Sequence, residues 1–133
     1  MTLRVGIAVF ALALLAPIAS AQGTSPRATL LQQASLVKQA KWRAMYATYT
    51  PRFRRSCPYP TFVQSGRRLR ALLGTNFQVR GIQVRMESAT RAILAYRFVR
   101  GGRTVASVTF AHRDVYTRIG SRWYDDLDRV SAC

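Results

Sequence analysis

Acidic residues are scarce in this chain. Its 133 residues hold 5 Asp and Glu against 21 Lys and Arg, with a single His. That removes the donors from which a metal centre is built, so no metal site is expected. The sole histidine, His112, has Ser107 nearby, but no nucleophile-elbow sequence surrounds that serine. Gly101-Gly102 is not followed by Gly-Lys-Ser/Thr, so it reads as a turn and not as a phosphate loop. No repeat and no low-complexity tract is present, and no DNA-reading module appears. Nothing after residue 21 is long and apolar enough to span a bilayer. No cofactor is implied, and specific nucleic-acid binding is not expected.

What is present begins with residues 1–21. Arg4 precedes an almost unbroken aliphatic run from Val5 to Ile18, and Ala19-Ser20-Ala21 supplies small residues. This is the pattern of a cleaved export signal, with an apolar run too short for an anchor. The mature chain would be residues 22–133, one domain, exported to the periplasm or the medium. In that compartment Cys57 and Cys133, the two cysteines of the chain, are expected to form a disulfide.

The formal net charge is +16, nearly all of it arginine, since Lys38 and Lys41 are the two lysines. A field of this sign draws polyanions such as envelope polymers or anionic lipid surfaces. The densest basic run is Arg52, Arg54, Arg55, Arg67, Arg68 and Arg70.

Ser25 and Pro26 suit N-cap and first-turn positions. From there Leu31, Ala34, Lys38, Trp42, Met45, Tyr46 and Tyr49 recur at helical steps, which predicts one amphipathic helix up to Thr50-Pro51. A short turn at 52–56 with Phe53 inward follows. A second helix is predicted over Phe62–Leu73, capped by Thr61, with Phe62, Leu69, Leu72 and Leu73 inward and Gly74 ending it. Beyond Phe77 the period switches to two. Strands are predicted over 78–88, 91–99, 104–119 and 122–127, with a bulge near Gly81 and a hairpin at Arg100-Gly-Gly-Arg103. Helices first and an antiparallel meander second read as α+β.

Two local patterns add a resemblance. One is Trp42-x-x-Met45-Tyr46-x-x-Tyr49-x-Pro51-x-Phe53. The other is Asp114-Val115-Tyr116 followed by Gly120-Ser121-Arg122-Trp123-Tyr124-Asp125. With the element order, they resemble the nuclear-transport-factor-2-like (NTF2-like, cystatin-like cone) domains. The resemblance covers about residues 30–128. It implies N-terminal helices packed in the concave face of a curved antiparallel sheet, with a pocket at one end. Such a fold hosts enzymes, binders and interaction modules alike, so it names no activity.

Within that frame the aromatic residues Trp42, Tyr46, Tyr96, Phe110, Tyr116 and Trp123 are pocket candidates. Asp125, Asp126 and Asp128 crowd one end and are expected to be exposed. Asp114 is the acid on a central strand. Alternation along 104–119 would place His112, Asp114 and Tyr116 on one face, as an acid–base pair with a donor. The competing reading pairs Asp114 with a nearby arginine. The favoured function is a non-catalytic binding domain, for a small apolar ligand or an anionic envelope component. The alternatives are an isomerase or dehydratase using Asp114 and His112, and a module that dimerises through its sheet.

Overall fold

The computed structural model describes residues 23–127 and 133. The predicted export signal therefore lies outside the described residues, as does Asp128. The described chain is α+β: four helices, then an antiparallel five-stranded sheet. None of these helices is long and apolar enough to cross a membrane.

Helix α1 (Pro26–Lys38) starts as its sequence dictates, with Ser25 Oγ accepting from Ala28 N at 3.0 Å. It does not run on to Tyr49. Lys41 N donates to Leu36 O and Ala40 N to Val37 O, with Ala40 in the left-handed region at φ 53°. This is a Schellman stop. Glycine usually fills its left-handed position, and alanine there leaves no sequence signal. The break rotates the helical face by one residue. The buried side of α1 is Thr29, Leu30, Gln33 and Val37, whereas Leu31, expected inward, is 42% exposed.

The break redirects α2 (Trp42–Tyr46) so that Trp42 and Met45 bury against the later helices. Residues 48–50 then run beside the last strand, with Thr50 N donating to Asp125 O and Asp125 N to Thr48 O, both at 2.8 Å. Helix α3 (Pro51–Ser56) buries Phe53, and Thr50 caps it by accepting from Phe53 N.

Helix α4 spans Tyr59–Leu73 and starts three residues before the predicted Phe62. Pro58 and Pro60 occupy positions where no amide donor is needed, so they open the helix, and Thr61 lies inside it. Phe62, Gly66 and Leu73 face inward, while Leu72 is 57% exposed. Gly74 ends the helix at φ 73°, and Arg100 Nη1 donates to the carbonyls of Leu72 and Leu73. Cys57 and Cys133 form the disulfide, with Cα atoms 5.6 Å apart, and Cys57 is buried in the helical core.

Gly66 has a specific reason to be glycine. A Cβ there would stand 2.7 Å from Trp42 Cζ3. Alanine is ordinarily the better helix former by about 1 kcal/mol. Here Gly66→Ala is expected to destabilise by about 1–3 kcal/mol, through the displaced indole. Chemical denaturation checks this, and a gain in stability would mean that Trp42 does not sit against α4.

The sheet runs β1 (Gln78–Ser88), β2 (Arg91–Arg100), β4 (Asp114–Ile119), β5 (Arg122–Asp125), with β3 (Arg103–Val108) also on β2. β3 and β4 share one edge of β2: β3 pairs with Tyr96–Arg100, and β4 with Arg91–Leu94. They correspond to the long strand predicted over 104–119, interrupted by a 3₁₀ turn at Phe110–His112 and by Arg113 at φ 57°. The bulge falls where the sequence put it: the β1–β2 register slips between Arg80 and Gln83, around Gly81. Leu30 of α1 packs on Ala92, Leu94, Tyr116 and Trp123, so α1 covers one face of the sheet.

Candidate functional site

Between α1 and the sheet lies a cluster of polar side chains that the core cannot leave unpaired. β4 contributes Asp114 and Tyr116, which alternation places on the α1 side beside Leu94 and Ala92. β5 contributes Asp125, directly opposite Tyr116 in the ladder. β2 contributes Tyr96, and α1 contributes Gln33 at the centre of its buried face.

The bonds form a chain. Tyr116 Oη donates to Gln33 Oε1 at 2.8 Å, which fixes the amide. Gln33 Nε2 then donates to Thr48 Oγ1 at 3.0 Å and to Asp125 Oδ2 at 3.2 Å. Tyr96 Oη donates to Asp114 Oδ2 at 2.6 Å. Asp125 Oδ1 is buried and receives no protein donor among the described residues. The Asp114 carboxylate is near enough to push the pKa of Asp125 upward. A hydrogen bond between the two carboxyls exists only while one of them holds a proton.

Electrostatics agree with the geometry. Burial pushes Asp114 up to about 6, against the opposing donation from Tyr96 and Asp125. Burial and then the Asp114 charge push Asp125 well above the carboxylate range, and Gln33 only partly offsets them. Both shifts favour a proton retained by the pair over two buried charges. Tyr96, Tyr116 and Tyr49 are all raised well above their ordinary value, first by burial and then by the nearby carboxylates. They stay protonated as donors.

This cluster closes the polar end of a cavity of about 70 Å³. Gln33, Tyr49, Tyr96 and Asp125 reach it, and its apolar wall includes Leu30, Val37, Met45, Leu73, Phe77 and Phe98. The volume admits a few waters or a ligand of a few heavy atoms, well below the roughly 300 Å³ at which drug-sized sites begin.

The fold disperses the aromatic pocket candidates, with Trp42 and Trp123 at separate depressions. Tyr96 lines the cavity, and Tyr116 sits under it through Gln33. Trp42 packs on Gly66, and Tyr46 ties the helices together by donating to Arg54 O and Cys57 O. Trp123 packs on the α1 side of the sheet, and Phe110 sits on the 3₁₀ turn under Arg85. His112 does not join Asp114. It is exposed, and its Nδ1 accepts from Thr109 N at 2.9 Å, because the 3₁₀ turn breaks the alternation that would have aligned them. The arginine pairing expected for Asp114 is replaced by Tyr96 and Asp125.

Asp125 and Asp126, expected to be exposed, are both buried. Strand β5 alternates Trp123 and Asp125 inward, so the signal for Asp125 lay in the period of two. Asp126 is structural. It accepts from Thr50 Oγ1 at 2.6 Å and Arg52 Nε at 2.9 Å. Although partial burial works against it, those donors hold Asp126 below the usual carboxylate range.

The basic run is divided by the fold. Arg52 is drawn to Asp126, and Arg68 donates to Ser65. Arg54 and Arg55 lie on α3. Arg67 and Arg70 share an open depression of about 790 Å³ with the edge of Trp42, and Arg70 also donates to Lys38 O. Among the described residues, no group of three or more His, Cys, Asp or Glu could hold a metal ion. No protein family, curated protein or solved structure matches this chain.

Proposed function

We propose that this chain is an exported, NTF2-like binding domain that takes up a small, mainly apolar molecule carrying one hydrogen-bonding oxygen. The observation that carries this reading is the small cavity, apolar on its walls and bounded at one end by Gln33, Tyr96 and Asp125, with Asp114 behind Tyr96. Apolar walls supply affinity, and a few converging polar groups supply orientation. A protonated carboxyl beside tyrosines in a dry site donates to a carbonyl or hydroxyl oxygen. The α+β order, with α1 on one sheet face, supports the family resemblance. The disulfide supports an oxidising compartment, as does the signal-like pattern of residues 1–21.

A series of small ketones tests this by NMR titration. The expected result is a Kd of about 1 mM for a four- to six-atom ketone. Shifts should be confined to the methyl groups of Leu30, Val37, Met45 and Leu73. No perturbation of those methyls would remove the reading.

The buried acid pair favours one second reading, an isomerase or dehydratase in which Asp114 moves a proton by way of Asp125, the member of the pair that reaches the cavity. His112 has no part in it, being exposed on the 3₁₀ turn. Exchange of the ketone's α-hydrogens with solvent deuterium, abolished by Asp114→Asn, would support that reading over simple binding.

A further inference from the structure

The face of the sheet turned away from α1 carries an arginine group of its own. Val79 and Phe98 are cross-strand partners that pack toward the core, so their neighbours Arg80 and Arg97 point to the other side. Arg80 and Arg97 are themselves directly paired across β1 and β2, and both are exposed. The Arg97 guanidinium reaches over β1: a Cβ on Gly81 would stand 3.9 Å from its Cζ. Arg80 Nη2 donates to Gln78 Oε1 on the same strand. Farther along β1, Arg85 shares this side and sits 4.6 Å above the Phe110 ring.

Like charges placed opposite one another in a ladder cost stability unless something neutralises them. The side-chain carboxylates among the described residues do not. Glu87, on the same side, gives one oxygen to Arg91 and the other to Arg113, each at 3.0 Å. Asp126 is held by Arg52, and Asp114 and Asp125 are buried on the opposite face. Arg80, Arg85 and Arg97 thus have no carboxylate partner among the described residues.

Guanidinium forks bind phosphate and sulfate oxygens in pairs. We propose that Arg80 and Arg97, with Arg85, form a binding site for phosphate or sulfate groups carried on a linear polyanion. Arg80, Arg85 and Arg97 are exposed, so a single ion there would remain solvated and weakly held. Across the bulge Arg85 pairs with Ile93, four residues along β2 from the partner of Arg80, about 13 Å of strand, a span that repeated charges on one chain can cover. The site is independent of the cavity, and of the Arg67–Arg70 depression on α4.

Polyphosphate and heparin titrations of the disulfide-intact protein test it, with inorganic pyrophosphate as the single-group arm. Arg80→Gln/Arg97→Gln should weaken polymer binding at least tenfold and reduce the slope of log K against log salt by about 2. Arg67→Gln/Arg68→Gln should weaken it less than threefold. Polyphosphate should also raise the melting temperature of the parent but not of the Arg80/Arg97 variant, a readout that shows both proteins folded. Equal losses in the two double variants, or none in either, would overturn the site. Pyrophosphate binding as tight as that of the polymer would overturn the polymeric ligand.

Discussion

Replacing Cys57 and Cys133 together by alanine is expected to cost about 4 kcal/mol of stability, and to lower the melting temperature by roughly 15–30 °C. The bond joins residues 76 apart in sequence, and closing so long a loop removes much of the entropy of the unfolded chain. Without the bond, unfolding releases nearly the whole described domain. Cys57 is buried between Phe53 and Phe62 in the helical cluster, so the pair also moors residue 133 to the core. Against a typical domain stability of about 5–15 kcal/mol, the loss is large. Alanine is preferred to serine because a hydroxyl at position 57 would be buried. Denaturant unfolding of parent and variant checks it. A loss under about 1 kcal/mol would mean that the unfolded chain is already compact, or that the bond is strained.

The second large effect is on the pH dependence. Asp114 and Asp125 both have folded pKa values raised by burial, Asp114 to about 6. Between the ordinary carboxylate value and about 6, the folded protein therefore binds more protons than the unfolded chain. Their contribution is fully favourable below about pH 4 and is lost as pH rises through the folded values. The slope is about 1.4 kcal/mol per pH unit for each proton retained. For Asp114 this amounts to about 3 kcal/mol in all. Asp126 behaves oppositely. Its lowered pKa stabilises above the ordinary carboxylate value and is lost only below it, so the two windows do not overlap.

Asp125→Asn separates the two members of the pair. Gln33 Nε2 donates to Asp125 Oδ2, so the new side-chain oxygen belongs at that position. The new amide nitrogen then takes the place of Oδ1, which has no protein donor among the described residues, and carries no charge. The variant should lose one of the two slopes, flattening stability between pH 4 and 6 by about 1.4 kcal/mol per unit. It should be more stable than the parent at pH 7. Denaturation at several pH values checks this. A pH profile parallel to that of the parent would show that Asp125 does not retain its proton in the fold.

Legibility in the sequence followed how local each feature is. The Gly81 bulge, the Gly-Gly hairpin and the stop at Gly74 are carried by residues within a few positions of the event. The Cys57–Cys133 bond was legible from the even cysteine count and the export-signal pattern of residues 1–21. The α1–α2 break was not readable, because Ala40 fills a left-handed position in which glycine would have been the signal. That single miss shifted the inward face of α1 from Leu31 to Leu30 and hid Gln33, a polar residue in the buried stripe.

The acid pair was hidden for another reason. Gln33 and Asp125 are 92 residues apart, and Tyr96 meets Asp114 only through the sheet register. Neighbouring acids normally read as a solvated end. Here Thr48 and Thr50 bind the β5 backbone, and Thr50 also binds the side chain of Asp126, which draws that end of the chain inside. Asp114 and Tyr116 do share a face of β4, whereas His112 lies off it because one turn of 3₁₀ helix stands between them.

The proposed site depends on a proton retained by the Asp114–Asp125 pair near neutral pH. Carbon-13 NMR of the aspartate carboxyl groups, followed against pH in the disulfide-intact protein, reads it directly. The expected result is one carboxyl titrating near pH 6 and a second titrating higher, with both resonances moving together because the sites are coupled. Two independent titrations near the ordinary carboxylate value would contradict it, and would leave the cavity without its polar anchor.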